Sequence, residues 1–70
     1  MSDHVYKKIE IVGSSETSIE DAIKNAVNTA SASLENLDWF EVVETRGAIN
    51  DGSIAHYQVT VKVGFRLKSA

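Results

Sequence analysis

"IAHYQVTVKVGFRL", residues 54–67, alternates with a period of two over its whole length. Tyr57, Val59, Val61, Val63, Phe65 and Leu67 share one side, and His56, Gln58, Thr60, Lys62, Gly64 and Arg66 share the other. The pattern predicts a long strand with an apolar face toward a core and a polar face turned away from it. Just upstream, "NDGS" (residues 50–53) puts Asp51-Gly52 where a tight hairpin needs positive φ. The preceding "WFEVVETRGAI" (residues 39–49) then reads as the partner strand. Gly47 and Gly64 fall inside these two strands, which predicts bulges or close backbone approach there.

Two further elements come earlier. "HVYKKIEIVG" predicts a strand from about His4 to Val12, with Val5, Ile9 and Ile11 on one side and Tyr6, Lys8 and Glu10 on the other. Gly13 and the polar "SSETS" are expected to break it. Residues 18–35 place Ile19, Ala22, Ile23, Ala26, Val27, Ala30 and Leu34 at helical spacing, which predicts one amphipathic helix of about five turns, with Leu37 extending its stripe. Thr17 with Glu20 fits a capping box, and Ser18 competes as N-cap. The alanines on its inner face let a sheet approach closely. The order is β-α-β-β: an α+β subunit in which a three-stranded antiparallel sheet packs on one helix. That helix covers one sheet face, so the other must meet water, a partner subunit or a ligand.

Size and composition narrow the functional classes. Seventy residues make a single domain, residues 1–70, with 43% hydrophobic and 24% charged residues and no proline or cysteine. Without disulfides or thiolate metal sites, a core this small predicts stabilisation by oligomerisation. Ten acidic against seven basic residues give a net charge of −3, which argues against binding a nucleic-acid backbone. No stretch has the length and apolarity of a secretory signal or a membrane span. A cytoplasmic protein with neither nucleic-acid nor membrane partners is expected.

Catalytic patterns are weak. His4 and His56 are isolated from any nucleophile or metal spacing, and "IVGSSETS" has a single glycine, too few for a nucleotide-phosphate loop. The helix N-terminus offers only a general anion site. No catalytic residue and no metal site is expected. "NLDWFEV" (residues 36–42) raises a different question, because adjacent rings Trp39 and Phe40 must point to opposite faces of a regular strand. A tryptophan at the start of a strand most often anchors a core or an interface, but it also suits stacking on a flat ligand. Gln58 is ordinarily a solvated amide, and it also presents the donor and acceptor that fit the edge of a heterocycle. Arg46 is ordinarily a surface charge, and it also stacks on rings or holds phosphate.

Taken together, "YKKIEIVGSS", "SIEDAIKNAV", "LDWFEVVETRG" and "HYQVTVKVGFRL" resemble the dodecins, small flavin-binding proteins, and the bacterial type in particular. The resemblance covers about residues 4–68. It implies a sheet wrapped around its helix and twelve subunits in a hollow particle, with flavins bound as stacked pairs between tryptophans of neighbouring copies. It also implies that Trp39 stacks on the flavin, that Gln58 bonds the ring edge, and that Arg46 lies near the ligand. FMN is the implied flavin, with riboflavin or FAD as variants and coenzyme A as a further ligand. The implied role is flavin storage with quenching of flavin photochemistry, not turnover. Three alternatives stand beside it: a structural oligomer without flavin in which Trp39 is only an interface anchor, a coenzyme A-binding assembly, and an enzyme using bound flavin. In the storage reading Phe40 is expected to be buried within the subunit and Trp39 to be held outward. Lys7, Lys8, Lys62 and Arg66 are candidates for phosphate by charge alone.

Overall fold

The computed structural model describes residues 3–68; the ends of the expected domain, residues 1, 2, 69 and 70, lie outside the described residues. Four elements follow in order: β1 (Tyr6–Ser15), α1 (Ile19–Ser33), β2 (Leu37–Asn50) and β3 (Ser53–Arg66). The sheet has the order β1-β3-β2, and both pairings are antiparallel. The expected β-α-β-β architecture is therefore the one observed.

β3 holds the middle position because α1 carries the chain from β1 across to the far edge. The β2–β3 hairpin closes on Asp51 and Gly52, at φ 54° and 77°, as the Asp-Gly pair demands. Ser18 proves to be the N-cap, its hydroxyl accepting the Asp21 N–H at 3.0 Å. Asp21 in turn accepts from the Ser15 hydroxyl at 2.8 Å, and Ser15 Oγ accepts the Thr17 N–H at 2.9 Å. This network ties the end of β1 to the start of the helix and explains why Ser18 rather than Thr17 caps it. The helix has 15 residues, nearer four turns than five, because Leu34 is already extended and Asn36 turns at φ 64°. Leu37 accordingly opens β2 instead of extending the helical stripe.

Gly13 does not end β1. It stays paired opposite Val59, and Ser14 and Ser15 continue opposite Gln58 and Tyr57. Its lack of a side chain serves the packing above it: a Cβ there would lie 2.1 Å from the Ala22 carbonyl oxygen and 2.8 Å from the Ala26 Cβ. Small residues on both sides let the helix settle directly onto the sheet.

The core is compact and off-centre. Ala22, Ala26 and Ala30 of α1 meet Val59, Val61 and Val63 of β3, with Ile9, Ile11, Ile23 and Leu37 half-buried around them. The helix packs mainly on β1 and β3 and leaves β2 beyond Leu37 largely uncovered. Not one residue of β2 is buried. Phe40 takes the expected face, opposite Val63, yet is 49% exposed because the helix covers little of β2. Val42, Val43, Ile49 and Ile54 are also exposed. The hairpin stretches the chain to 56 Å, and its radius of gyration is 14.7 Å. A compact chain of this length would have a radius of about 11 Å. Among the described residues no helix is long and apolar enough to cross a membrane.

Candidate functional site

The face of the sheet turned away from α1 carries the candidate residues in rows across the strands. Lys8, Gly64 and Trp39 make one row; Glu10, Lys62 and Glu41 the next; Ser14, Gln58 and Arg46 lie further along. All three predicted site residues therefore share one face.

Parity alone would forbid this. Trp39 and Arg46 are seven residues apart, so a regular strand would send them to opposite faces. The register of β2 shifts between Val42 and Glu44, which inserts one residue and returns Arg46 to the side of Trp39. The sign of the shift is in the sequence: "EVVE" sets two valines side by side where alternation should place one. Further irregularities fall between Leu37 and Trp39 and between Ala48 and Ile49. Gly47 and Gly64 themselves are not bulge residues, so the close-approach half of the expectation holds.

Trp39 lies flat on the backbone of β3. A Cβ on Gly64 would come within 2.3 Å of indole Cζ2, so the ring occupies the space a side chain would take. Tyr6 meets the indole edge-on, with centroids 5.3 Å apart and planes at 68°, the favourable T-shaped arrangement. The indole Nε1–H donates to Glu41 Oε2 at 2.9 Å, and Lys8 Nζ donates to the same oxygen at 3.2 Å. These two bonds, the indole's first and then the lysine's, hold the Glu41 carboxyl below its usual range. Trp39 remains 37% exposed.

Arg46 and Gln58 are brought together directly, Arg46 Nε donating to Gln58 Oε1 at 2.8 Å. Because a guanidinium only donates, the amide oxygen must face it. The amide nitrogen of Gln58 is then left as a donor, and the outer nitrogens of Arg46 stay available. Trp39 is not brought to this pair. Gly64 and Gln58 are six residues apart on β3, which in a strand is about 20 Å.

The phosphate candidates scatter. Lys8 is committed to Glu41, Lys62 lies opposite Glu41 and Glu10, and Arg66 lies opposite Tyr6 at the sheet's end. Lys7 pairs with Phe65, which puts its position in register on the helix side. His4 contacts the edge of Tyr6, and His56 pairs with Ala48, so the two histidines do not converge. Among the described residues no group of three or more His, Asp or Glu is placed to hold a metal ion. The reading of the sequence missed Glu41. Its signal is its position two residues from Trp39, which in a strand means the same face.

Fold and site together define a small β-α-β-β protein whose candidate binding residues lie on the sheet face opposite its helix. The dodecin family model matches residues 5–68. Dodecin of Thermus thermophilus is 52% identical over 64 residues, covering 91% of this chain and 93% of the relative. The solved dodecin of Streptomyces davaonensis has 59% identity and a TM-score of 0.93, covering 97% of this chain and all of the other. Calcium dodecin of Mycobacterium tuberculosis is 33% identical over 66 residues, covering 94% of this chain and 93% of the relative. The chain belongs to the dodecin family.

Proposed function

We propose that this protein stores flavin, holding FMN or riboflavin in stacked pairs between copies of the chain and quenching their photochemistry. The observation that carries the reading is the split site. A tryptophan with one face on glycine and the other exposed stands about 20 Å from a glutamine-arginine pair on the same sheet face. An isoalloxazine is about half that length, so a flavin touching both kinds of residue must take them from different copies. The exposed apolar residues of β2 and the elongated chain supply the reason for those copies to associate. A closed shell of twelve satisfies every copy equivalently.

The residues suit the ligand chemically. Trp39 offers a fixed flat surface, and the free amide nitrogen of Gln58 suits a ring carbonyl. Arg46 suits a ring face or the phosphate of FMN. A bound flavin would supply the chromophore, and the indole of Trp39 stacked on it would serve as the electron donor that quenches the excited state, the electron returning to the indole afterwards. FAD and coenzyme A are further ligands that the same surface is proposed to admit. No residue on the face is set up as a general acid or base for turnover. The protein is therefore proposed to be a binding protein, not an enzyme, and to work in the cytoplasm.

The test is a fluorescence titration of FMN with protein whose assembly mass is measured by light scattering. Wild type should extinguish FMN emission at micromolar protein as an assembly near twelve chains. Trp39→Ala should weaken FMN binding by at least about thirtyfold, because truncating a central tryptophan costs about 2 kcal/mol or more. The flavin that still binds to the variant should emit more strongly. Unchanged FMN emission with the wild-type protein would sink the storage reading.

A further inference from the structure

An exposed tryptophan on a strand is normally free to swing, and a swinging ring makes a poor stacking surface. Ordering a flexible side chain at the moment of binding is subtracted from affinity. Here the indole is constrained before any ligand arrives. Gly64 beneath it and Tyr6 at its edge limit the tilt, but neither distinguishes one ring orientation from the orientation flipped in its own plane. The indole has a single donor, Nε1–H, and Glu41 Oε2 accepts it at 2.9 Å. Only one orientation makes that bond. The carboxylate is anchored in turn by Lys8, at 3.2 Å and 3.5 Å from its two oxygens. The other charged groups facing it are Lys62, opposite on β3, and Glu10, beyond it on β1.

We propose that Glu41 is a positioning residue for ligand stacking: it fixes the plane and orientation of Trp39 through the indole N–H, with Lys8 holding the carboxylate in place. The inference rests on the reading of Trp39 as the flavin-stacking ring. Glu41 itself does not touch the ligand. A bond from a neutral donor to a carboxylate is stronger than one between neutral groups, and because the indole has a single N–H the bond forms in one ring orientation only. The ion pair with Lys8 is solvent-exposed and adds little stability of its own. Its contribution is to restrict where the carboxylate sits.

Trp39 is the chain's sole tryptophan, so its signal can be followed without ligand. The experiment compares wild type, Glu41→Ala, Glu41→Gln and Lys8→Met by light scattering, near-ultraviolet circular dichroism of the ligand-free protein, and FMN titration. Glu41→Ala should keep its assembly mass, lose most of the tryptophan band and bind FMN about tenfold more weakly, the weight of one hydrogen bond. Glu41→Gln, whose amide oxygen still accepts the N–H, should recover most of both. Lys8→Met should show a smaller loss in the same direction. A wild-type band and wild-type FMN affinity in Glu41→Ala would overturn the proposal, as would a Glu41→Gln protein no better than the alanine variant. If Glu41→Ala fails to assemble, an unchanged band in Lys8→Met counts against it too. Should wild type itself not take up FMN, the flavin reading fails, while the dichroism still decides whether Glu41 orients the indole.

Discussion

Each face of the sheet rests something large on a glycine, but the two glycines hold up different kinds of structure. On the helix side Gly13 lies beneath the backbone and Cβ atoms of Ala22 and Ala26. On the outward side Gly64 lies beneath the indole of Trp39. The first contact joins two elements of secondary structure inside the core. The second holds one half-exposed ring at the surface. The same device serves the fold on one face and the binding surface on the other. What separates them is whether the supported atoms have anywhere else to go.

Replacing each glycine by alanine breaks the comparison open. Gly13→Ala has the larger expected effect, because the new methyl meets a carbonyl oxygen that only a shift of the whole helix can move. Overpacking of this kind costs about 3 kcal/mol, a large part of the roughly 4–10 kcal/mol expected for a chain this size. Denaturant melts at one fixed protein concentration would show it, since the stability of an assembly depends on concentration. A loss below about 1 kcal/mol would mean that the helix is not seated as tightly as the contact implies. Gly64→Ala should behave differently. The colliding atoms belong to a side chain with solvent on its other face, so the ring moves and stability stays within about 1 kcal/mol. The ring's orientation should be lost, and with it the tryptophan dichroism and about tenfold or more in FMN affinity. A Gly64→Ala protein that keeps both would show that the flat seating of the indole is not what FMN uses.

The difference between the faces also marks how far the sequence could be read. The alternation of residues 54–67 placed β3 and its core valines correctly, because a strand covered on one face must alternate. The strand ends were harder. Gly13 looked like a terminator, since its partner across the core, the Ala22 turn of α1, is not adjacent in sequence. Phe40 was assigned the correct face and the wrong environment. Periodicity tells which side a residue faces, but it cannot say that the helix stops short of β2. The resemblance brought Trp39, Gln58 and Arg46 to one ligand, and parity read alone would send Trp39 and Arg46 to opposite faces. The register shift at Val43 is what reconciles the two. Glu41 went unnoticed because a carboxylate on an exposed strand face is ordinarily just solvated, and its bond to the indole is a tertiary detail.

The smallest effect comes from acid. Glu41 binds the indole N–H and Lys8 best as a carboxylate, and these bonds hold its carboxyl below the usual range in the folded protein. A folded-state pKa lowered in this way contributes its effect above the ordinary glutamate range and loses it as pH falls through the lowered value. The carboxylate lies at the surface, exposed to solvent, so the consequence for stability is small; its local consequence is for the indole. The tryptophan dichroism of the ligand-free protein should stay constant from neutral pH down through the ordinary glutamate range. It should weaken only at more acid pH. Glu41→Gln is the control, because it removes the Glu41 titration and leaves the other carboxylates in place, Glu10 on β1 among them. A step in the wild-type signal at the ordinary glutamate pKa, or one that persists in Glu41→Gln, would show that the ring is not held by the charged carboxylate. Its seating would then rest on Gly64 and Tyr6 alone, and the two faces would differ only in what lies on their glycines.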